Sequence, residues 1–279
     1  MTAPIRLALV GRTISYSKSP DIFRAVFDAC GVGGSFELVD VEESELESSI
    51  RSLRQGGYAG FSVTIPYKEC VAPLLDECSR TVQIVGAVNC VAIDSSGRLT
   101  GHNTDCYGFG LALLGVRDRI EGGHAAIMGY GGSARAVAFS LVTTFGTNQI
   151  TVVGRDESGM ADFARWLQKT APGVTVGTAA LDSFKGSAAG DVSILVNCTP
   201  MGGFNSPDQI PVGATFDWRQ VGVYYDLNYN HDNRALAAAR DANVIAIDGT
   251  MMLVGQAVRA FEIWTGLAVS AETIHARVF

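Results

Sequence analysis

The sequence contains no apolar run approaching the ~18 residues from which a membrane helix is read. It is also short of positive charge: 21 lysines and arginines stand against 28 aspartates and glutamates, a formal net charge of -7. Extended nucleic-acid and anionic-membrane surfaces select the opposite sign, so neither partner is expected. A small anionic ligand needs only a few local donors and stays compatible with that balance. Histidine is scarce, and the six cysteines (Cys30, Cys70, Cys78, Cys90, Cys106 and Cys198) form no C-x-x-C pair. Nor do they stand at zinc-like spacing from His102, His124, His231 or His275, so no metal site is expected. The thiols read as reduced and mostly buried, as in a cytoplasmic protein. The opening stretch, Met1 to Val10, has one arginine and a short apolar run that fits a first strand, without the features of a secretory signal. There are no internal repeats and no low-complexity tract.

What is present is a chain of 279 residues, 47% apolar and 18% charged, the composition of a globular protein with one large or two ordinary domains. Short apolar runs alternate with amphipathic segments of helical length. Ile5–Val10, Phe36–Val39 and Ala59–Val63 read as strands. Helices are expected over Pro20–Cys30, with Ser19 as a cap, over Glu43–Arg54, and over Tyr67–Cys78. Ala87–Ile93 and Arg98–Gly101, joined through Ser95-Ser96-Gly97, read as a hairpin, and a helix from about Asp105 to Leu114 leads out. In the second half Ala125–Met128, Ile150–Val153, Ile194–Asn197, Val223–Leu227 and Val244–Ile247 read as strands, with helices over Ala134–Phe145 and Arg234–Asp241. The stretch after Asp248 reads as a helix that packs back on the first domain. The expected class is therefore α/β, with parallel helix-covered sheets in two domains. An N-terminal α/β substrate domain takes residues 1–104 plus 249–279, and a Rossmann-type dinucleotide-binding domain takes residues 105–248.

Gly129-Tyr130-Gly131-Gly132-Ser133-Ala134 follows a predicted strand and opens a predicted helix, the context that a dinucleotide fingerprint needs. The first glycine permits the tight turn, the second lets backbone approach a pyrophosphate, and Ala134 lets helix and strand pack closely. The anion would rest on free N–H groups at the helix start. The next strand ends in Gly154-Arg155-Asp156, where the adenosine ribose is read. Arginine there suits the 2′-phosphate of NADP, and an acid suits the hydroxyls of NAD. This sequence offers both, and Asp156 can equally cap the following helix.

The first hundred residues carry polar clusters of their own. Ser17 and Ser19 flank a helix start and can offer hydroxyl and backbone donors to a carboxylate. Ser62 and Thr64 alternate onto one face at the end of a strand, Pro66 stops the strand, and Lys68 lies just beyond. Asn89 and Asn103-Thr104-Asp105 bring a similar polar set from neighbouring predicted strands.

Taken in order, Ser17-Lys18-Ser19-Pro20, Val63-Thr64-Ile65-Pro66-Tyr67-Lys68, Gly86-Ala87-Val88-Asn89, Asn103-Thr104-Asp105 and the glycine loop resemble the shikimate dehydrogenase family. Asn197-Cys198-Thr199-Pro200-Met201-Gly202, Tyr225-Asp226-Leu227-Asn228-Tyr229 and Asp248 to Ala257 extend the resemblance over nearly the whole chain. It implies reversible, NADP-dependent reduction of 3-dehydroshikimate to shikimate, a step toward the aromatic amino acids. By similarity Ser17 and Ser19 hold the substrate carboxylate, while Ser62, Thr64, Asn89 and Gln256 meet the ring substituents. Lys68 and Asp105 form the catalytic pair, and Tyr229 closes over the substrate. Gly129, Gly131, Gly132, Ser133, Ala134, Arg155, Asp156, Thr199, Met201 and Leu227 fall to the cofactor, and Gly249, Met252 and Leu253 border the nicotinamide.

The departures from the family pattern bear on specificity. Ser62 stands where asparagine is usual, and Gly154-Arg155-Asp156 stands where the NADP signature is Asn-Arg-Thr. Gly159 occupies the place of a second arginine. NAD is therefore kept as a possible cofactor, and the NAD-using quinate/shikimate dehydrogenases as an alternative. The paired serines at 17 and 19 favour shikimate over quinate, whose enzymes often carry threonine there. A non-catalytic metabolite sensor is a third reading, disfavoured by the presence of both Lys68 and Asp105. Reduction consumes a proton that Lys68 would deliver, so the reverse oxidation is expected to improve in alkali. The small-molecule substrate would be handled by a monomer or a homodimer.

Overall fold

Two six-stranded sheets organise the protein, each inside its own unit: Met1–Phe109 with Met251–Phe279, and Gly110–Thr250. The structure is a computed structural model and describes residues 4–184, 192–212, 216–230 and 233–279. His231 lies outside the described residues.

The first unit begins with β1 (Ile5–Gly11), α1 (Ser19–Cys30), β2 (Gly34–Asp40), α2 (Leu46–Gln55) and β3 (Gly60–Val63). The short strand β4 (Glu77–Cys78), α3 (Arg80–Val85), β5 (Cys90–Ile93) and β6 (Leu99–His102) follow, then α4 (Asp105–Ala112), which belongs to this unit as far as Phe109. Pro20 sits in the first turn of α1, where its missing N–H costs nothing, and the helix buries Ile22, Phe23, Val26 and Phe27. On α2, Leu46, Ile50 and Leu53 recur at helical spacing and are buried. They join Ala8, Val10, Phe61, Val63 and Val91 in one apolar cluster.

Three expectations for this unit need correction. The sheet, ordered β2-β1-β3-β5-β6-β4, is mixed, because β5 runs antiparallel to both β3 and β6. The β5–β6 hairpin causes this, its turn held where Asp94 Oδ1 accepts from the N–H of Ser96 at 2.8 Å and of Arg98 at 2.9 Å. Tyr67–Cys78 is not a helix: it is a series of turns with a 3-10 turn at Ala72–Leu74, ending in β4. Pro73 removes one N–H and its ring opposes a continuous helix through this stretch. The start of α1 is also different, since Ser19 is itself the first helical residue and Lys18 holds the cap position. The hydroxyl of Ser17 accepts the Ser19 N–H at 3.2 Å.

In the second unit α5 (Arg117–Ile120), β7 (His124–Met128), α6 (Gly132–Phe145), β8 (Gln149–Gly154), α7 (Glu157–Thr170) and β9 (Thr175–Ala180) come first. They are followed by β10 (Val192–Asn197), β11 (Val221–Asp226), α8 (Arg234–Asp241) and β12 (Ile245–Ile247). Every pairing in this sheet is parallel. The order β12-β11-β10-β7-β8-β9 is the doubly wound arrangement in which the strand order reverses beside the first strand, here β7. All of β7 is buried, as expected of a central parallel strand covered on both faces.

The last helices, α9 (Thr250–Thr265) and α10 (Ala271–Val278), belong from Met251 onward to the first unit. The indole of Trp264 donates to the carbonyl of Val91 at 2.9 Å, and Phe261 packs edge-on against Phe27 with centroids 5.9 Å apart. Helix α4 meets α9 at Gly108: a Cβ there would lie 2.5 Å from the carbonyl oxygen of Met252 and 2.8 Å from the N–H nitrogen of Gln256. Only glycine allows this approach. The units divide a few residues from the sequence boundaries, because Asp105–Phe109 stay with the first unit.

Candidate active site

In the first unit the strand ends carry the polar residues. Beyond β3 the chain turns through Thr64 and a cis Ile65–Pro66 peptide, and Tyr67 buries its ring while its hydroxyl donates to Val41 O at 2.6 Å. That anchor leaves Lys68 on the next residue, and Lys68 O accepts the N–H of Val88 at 2.7 Å. The ammonium Nζ of Lys68 donates to Asp105 Oδ2 at 2.6 Å, with the two side chains only 14% and 5% exposed. Asp105 opens α4, where the helix dipole favours its negative charge.

Asn89 holds the other carboxylate oxygen. A backbone N–H can only donate, and that of Thr104 points at Asn89 Oδ1 at 2.7 Å, which fixes the orientation of the amide. Asn89 Nδ2 is therefore turned toward Asp105 Oδ1 at 2.8 Å and Thr104 Oγ1 at 3.0 Å. Gln256 Oε1, on α9, stands 3.4 Å from the same Nδ2, while Gln256 Nε2 donates to Leu253 O at 2.8 Å. Burial and then the neighbouring Asp105 carboxylate push the Cys106 thiol up to about 12. The thiol therefore stays protonated at neutral pH.

Between β1 and α1, Ser17 Oγ stands 3.1 Å from Ser19 Oγ at the start of the helix, Ser19 buried and Ser17 half-buried. Ser62 is buried at the end of β3 and Thr64 half-buried just beyond it. A lysine–aspartate pair with hydroxyls and amides at neighbouring strand ends can bind a polyhydroxylated acid and exchange a proton with one of its oxygens.

The second unit carries the residues expected for a dinucleotide. Gly129 leaves β7 with φ of 99°, a conformation that favours glycine, and a Cβ there would crowd Thr199 Cγ2 at 3.2 Å. Gly131 takes the cap position of α6, Gly132 and Ser133 begin the helix, and Ala134 is buried. Arg155 and Asp156 follow β8, both exposed. Of the two roles left open for Asp156, the cap is the one formed: its carboxylate accepts from the N–H groups of Ser158 at 3.3 Å and Gly159 at 2.8 Å. Thr199 Oγ1 donates to Asn197 Oδ1 at 2.6 Å and accepts from Met201 N at 3.2 Å. Leu227 N donates to Asn197 O at 3.0 Å, and Gly249 N to Asn228 O at 3.0 Å. Tyr229 lies against Phe204, ring centroids 5.4 Å apart. Met252 and Leu253 stand in the first turn of α9, in the first unit. The strand order, the positive φ of Gly129 and the glycine start of α6 form a cradle that fits a dinucleotide pyrophosphate.

A family model described as the shikimate dehydrogenase substrate binding domain matches residues 9–91, and one described as the shikimate 5′-dehydrogenase C-terminal domain matches residues 249–279. A shikimate dehydrogenase (NADP(+)) of Chlorobium phaeovibrioides is 34% identical over 274 residues, spanning 95% of this chain and 92% of that protein. The chain belongs to the shikimate dehydrogenase family. A solved shikimate dehydrogenase in complex with NADP+ aligns with a TM-score of 0.86 at 30% identity, over 99% of this chain and 94% of that one. The quinate dehydrogenase of Corynebacterium glutamicum, in complex with NAD, aligns equally well, with a TM-score of 0.86 at 30% identity over 98% of each chain.

Within this shikimate dehydrogenase framework the structure brings forward polar residues to which the sequence assigned no role. Thr104, 1% exposed, ties Asn89 to the start of α4. Asn197 and Asp226, both fully buried, meet where Asn197 Nδ2 donates to Asp226 Oδ2 at 3.0 Å, and Tyr224 adds its hydroxyl at 2.7 Å. Asn228 Nδ2 donates to Thr199 O at 3.1 Å, so this network fixes the loops after β10 and β11. The available signal was a polar residue ending an otherwise apolar strand. Among the described residues no cluster of metal-ligating side chains converges, and no helix is long and apolar enough to cross a membrane.

Proposed function

We propose that this protein is a shikimate dehydrogenase, reducing 3-dehydroshikimate to shikimate with NADPH and oxidising shikimate with NADP+ in reverse. The observation that carries the reading is the Lys68 ammonium on the Asp105 carboxylate at 2.6 Å, held by Asn89, in a member of this family. Residues 1–104 with 249–279 would act as the substrate domain, and residues 105–248 as the dinucleotide domain. Gly129, Gly131, Gly132, Ser133 and Ala134 would hold the pyrophosphate, with Arg155 on the ribose side. Thr199, Met201, Leu227, Gly249, Met252 and Leu253 would line the nicotinamide end. When bound, the nicotinamide supplies or takes the hydride.

The chain's own residues bind, orient and move the proton. Ser17 and Ser19 offer hydroxyls to the substrate carboxylate, and Ser62, Thr64, Asn89 and Gln256 offer donors and acceptors to the ring substituents. Tyr229 closes over the substrate. Lys68 gives a proton from Nζ to the ketone oxygen as that oxygen becomes a hydroxyl, so one hydride and one proton together make the alcohol. Asp105 orients the amine and stabilises the ammonium until transfer. In the oxidative direction Lys68 takes the proton, which must leave to solvent, and higher pH favours that direction by mass action. The proposal includes a cytoplasmic location, in keeping with six free cysteines, and a monomer or homodimer.

The test follows reduced-cofactor absorbance with 3-dehydroshikimate, then compares quinate with shikimate in the oxidative direction. The expected result is turnover of 3-dehydroshikimate and a higher kcat/KM for shikimate than for quinate. Absence of turnover would return the protein to the metabolite sensors. A preference for quinate with NAD would favour the second reading, which has in its support Gly159 and Asp156 near the single Arg155.

A further inference from the structure

Tyr130 follows the first glycine of the cofactor loop, and its ring lies between two other glycines. A Cβ on Gly154, the last residue of β8, would stand 2.6 Å from ring carbon Cε1 and 3.0 Å from Cδ1. A Cβ on Gly159, in the first turn of α7, would stand 2.6 Å from Cε2 and 3.0 Å from Cδ2. The two edges of one ring thus abut two residues that lack side chains. A swing away from either glycine drives the ring toward the other, so a side chain at either position meets Tyr130. The other close atoms, Met160 Cγ at 3.0 Å from a Cβ on Gly154 and Asp156 Oδ2 at 2.9 Å from one on Gly159, are side-chain atoms that can turn aside.

The end of the second strand of such a sheet is where the adenosine ribose is read, an arginine pairing with a 2′-phosphate and an acid with the free hydroxyls. In the segment from Gly154 to Gly159 the sole cation is Arg155, and Asp156 and Glu157 are acidic. The N–H groups of Ser158 and Gly159, donors that could serve a phosphate at the start of α7, are already taken by the Asp156 carboxylate.

Resting on the dinucleotide reading above, we infer that Tyr130 sets the cofactor selectivity of this enzyme. By filling the side-chain space at both Gly154 and Gly159 it holds the ribose site to one guanidinium. A 2′-phosphate then has Arg155 as the one cation of this segment, in a stretch that also carries Asp156 and Glu157, and the protein accepts NAD and NADP with little discrimination.

Calorimetric binding of adenosine 2′,5′-bisphosphate and adenosine 5′-monophosphate isolates the ribose side, since neither probe carries a nicotinamide. In the unmodified protein the bisphosphate is expected to bind within about tenfold of the monophosphate, as one exposed guanidinium allows. NADP+ and NAD+ should show the same narrow ratio. Tyr130→Ala combined with Gly159→Arg should raise the bisphosphate preference by more than about tenfold, a second cation now having room. Gly159→Arg alone should lower the thermal midpoint without that gain. A preference above about 100-fold in the unmodified protein, a figure expected of two paired cations, overturns the inference and leaves the dinucleotide reading standing. An equal gain from Gly159→Arg alone also overturns it. Binding of none of the four ligands would instead remove the dinucleotide reading beneath it.

Discussion

Replacing Asn89 by alanine removes its side-chain hydrogen bonds to Thr104, Asp105 and Gln256 at once, and the worth of the stronger ones can be estimated separately. The Thr104 N–H loses its acceptor at 2.7 Å in a site where Asn89 is 2% exposed, and an unpaired buried donor costs about 1–3 kcal/mol. Asp105 Oδ1 loses a donor at 2.8 Å, and a hydrogen bond to a charged group is worth about 1.5–3 kcal/mol. The contact to Thr104 Oγ1 counts for less, because that hydroxyl can turn to another acceptor. With partial relaxation the first unit should lose about 2–4 kcal/mol of stability. The Asp105 share should also appear in turnover, since a carboxylate held only by Lys68 is less well placed. If that share falls fully on the transition state, kcat drops about 10–100-fold, at about 1.4 kcal/mol per factor of ten. Hydrogen exchange at the Thr104 amide, urea unfolding and steady-state kinetics measure the three effects. Asn89→Asp separates them, because it keeps an acceptor for Thr104 but sets a second carboxylate against Asp105. Unchanged Thr104 protection and unchanged kcat in Asn89→Ala would refute the reasoning.

Further outcomes follow from the packing around the site. Gly108→Ala puts a methyl group against backbone at 2.5 Å, and backbone cannot yield as a side-chain tip can. We expect a loss of about 1–3 kcal/mol by urea unfolding and a higher KM for shikimate as Gln256 shifts from Asn89; an unchanged KM would count against Gln256 as a substrate ligand. Burial, then the nearby Arg259, hold the imidazole of His102 below its ordinary value, against an opposing effect of Glu77. Its neutral form is therefore the folded one, and its contribution is present above the unfolded pKa of about 6.5 and lost as pH falls through the lower folded value. The urea midpoint should fall from pH 7 to pH 5, and His102→Gln should reduce that fall; an identical fall in the variant would assign it to other groups.

Much of the fold was legible because its signals are local. The glycine loop carries its own turn chemistry, and parallel strands such as Ala125–Met128 are continuous apolar runs, here between His124 and Gly129. Two features misled the reading. Tyr67–Cys78 has apolar residues at near-helical spacing, yet they serve separate turns around Pro73, with Tyr67 reaching Val41. The hairpin of β5 and β6 was legible, but the sheet was still expected to be parallel, whereas β5 runs antiparallel to both its neighbours. At the site, Lys68 and Asn89 lie on loops and Asp105 at the start of α4, apart in sequence, and it was motif order that linked them. Their contacts, and the bridging part played by Thr104, depend on strand register, which no local spacing encodes. The Tyr130–Gly154–Gly159 arrangement was equally hidden: three residues ordinary in isolation are dependent only when one ring meets two backbones.

The central claim is that Lys68 carries the proton, and single-turnover reduction of 3-dehydroshikimate by Lys68→Met, alongside calorimetric binding of shikimate, tests it most directly. The account predicts that the chemical step slows by at least about 100-fold while shikimate still binds, methionine preserving the length of the side chain without its proton. Turnover at the unmodified rate would contradict it and move the proton to another group.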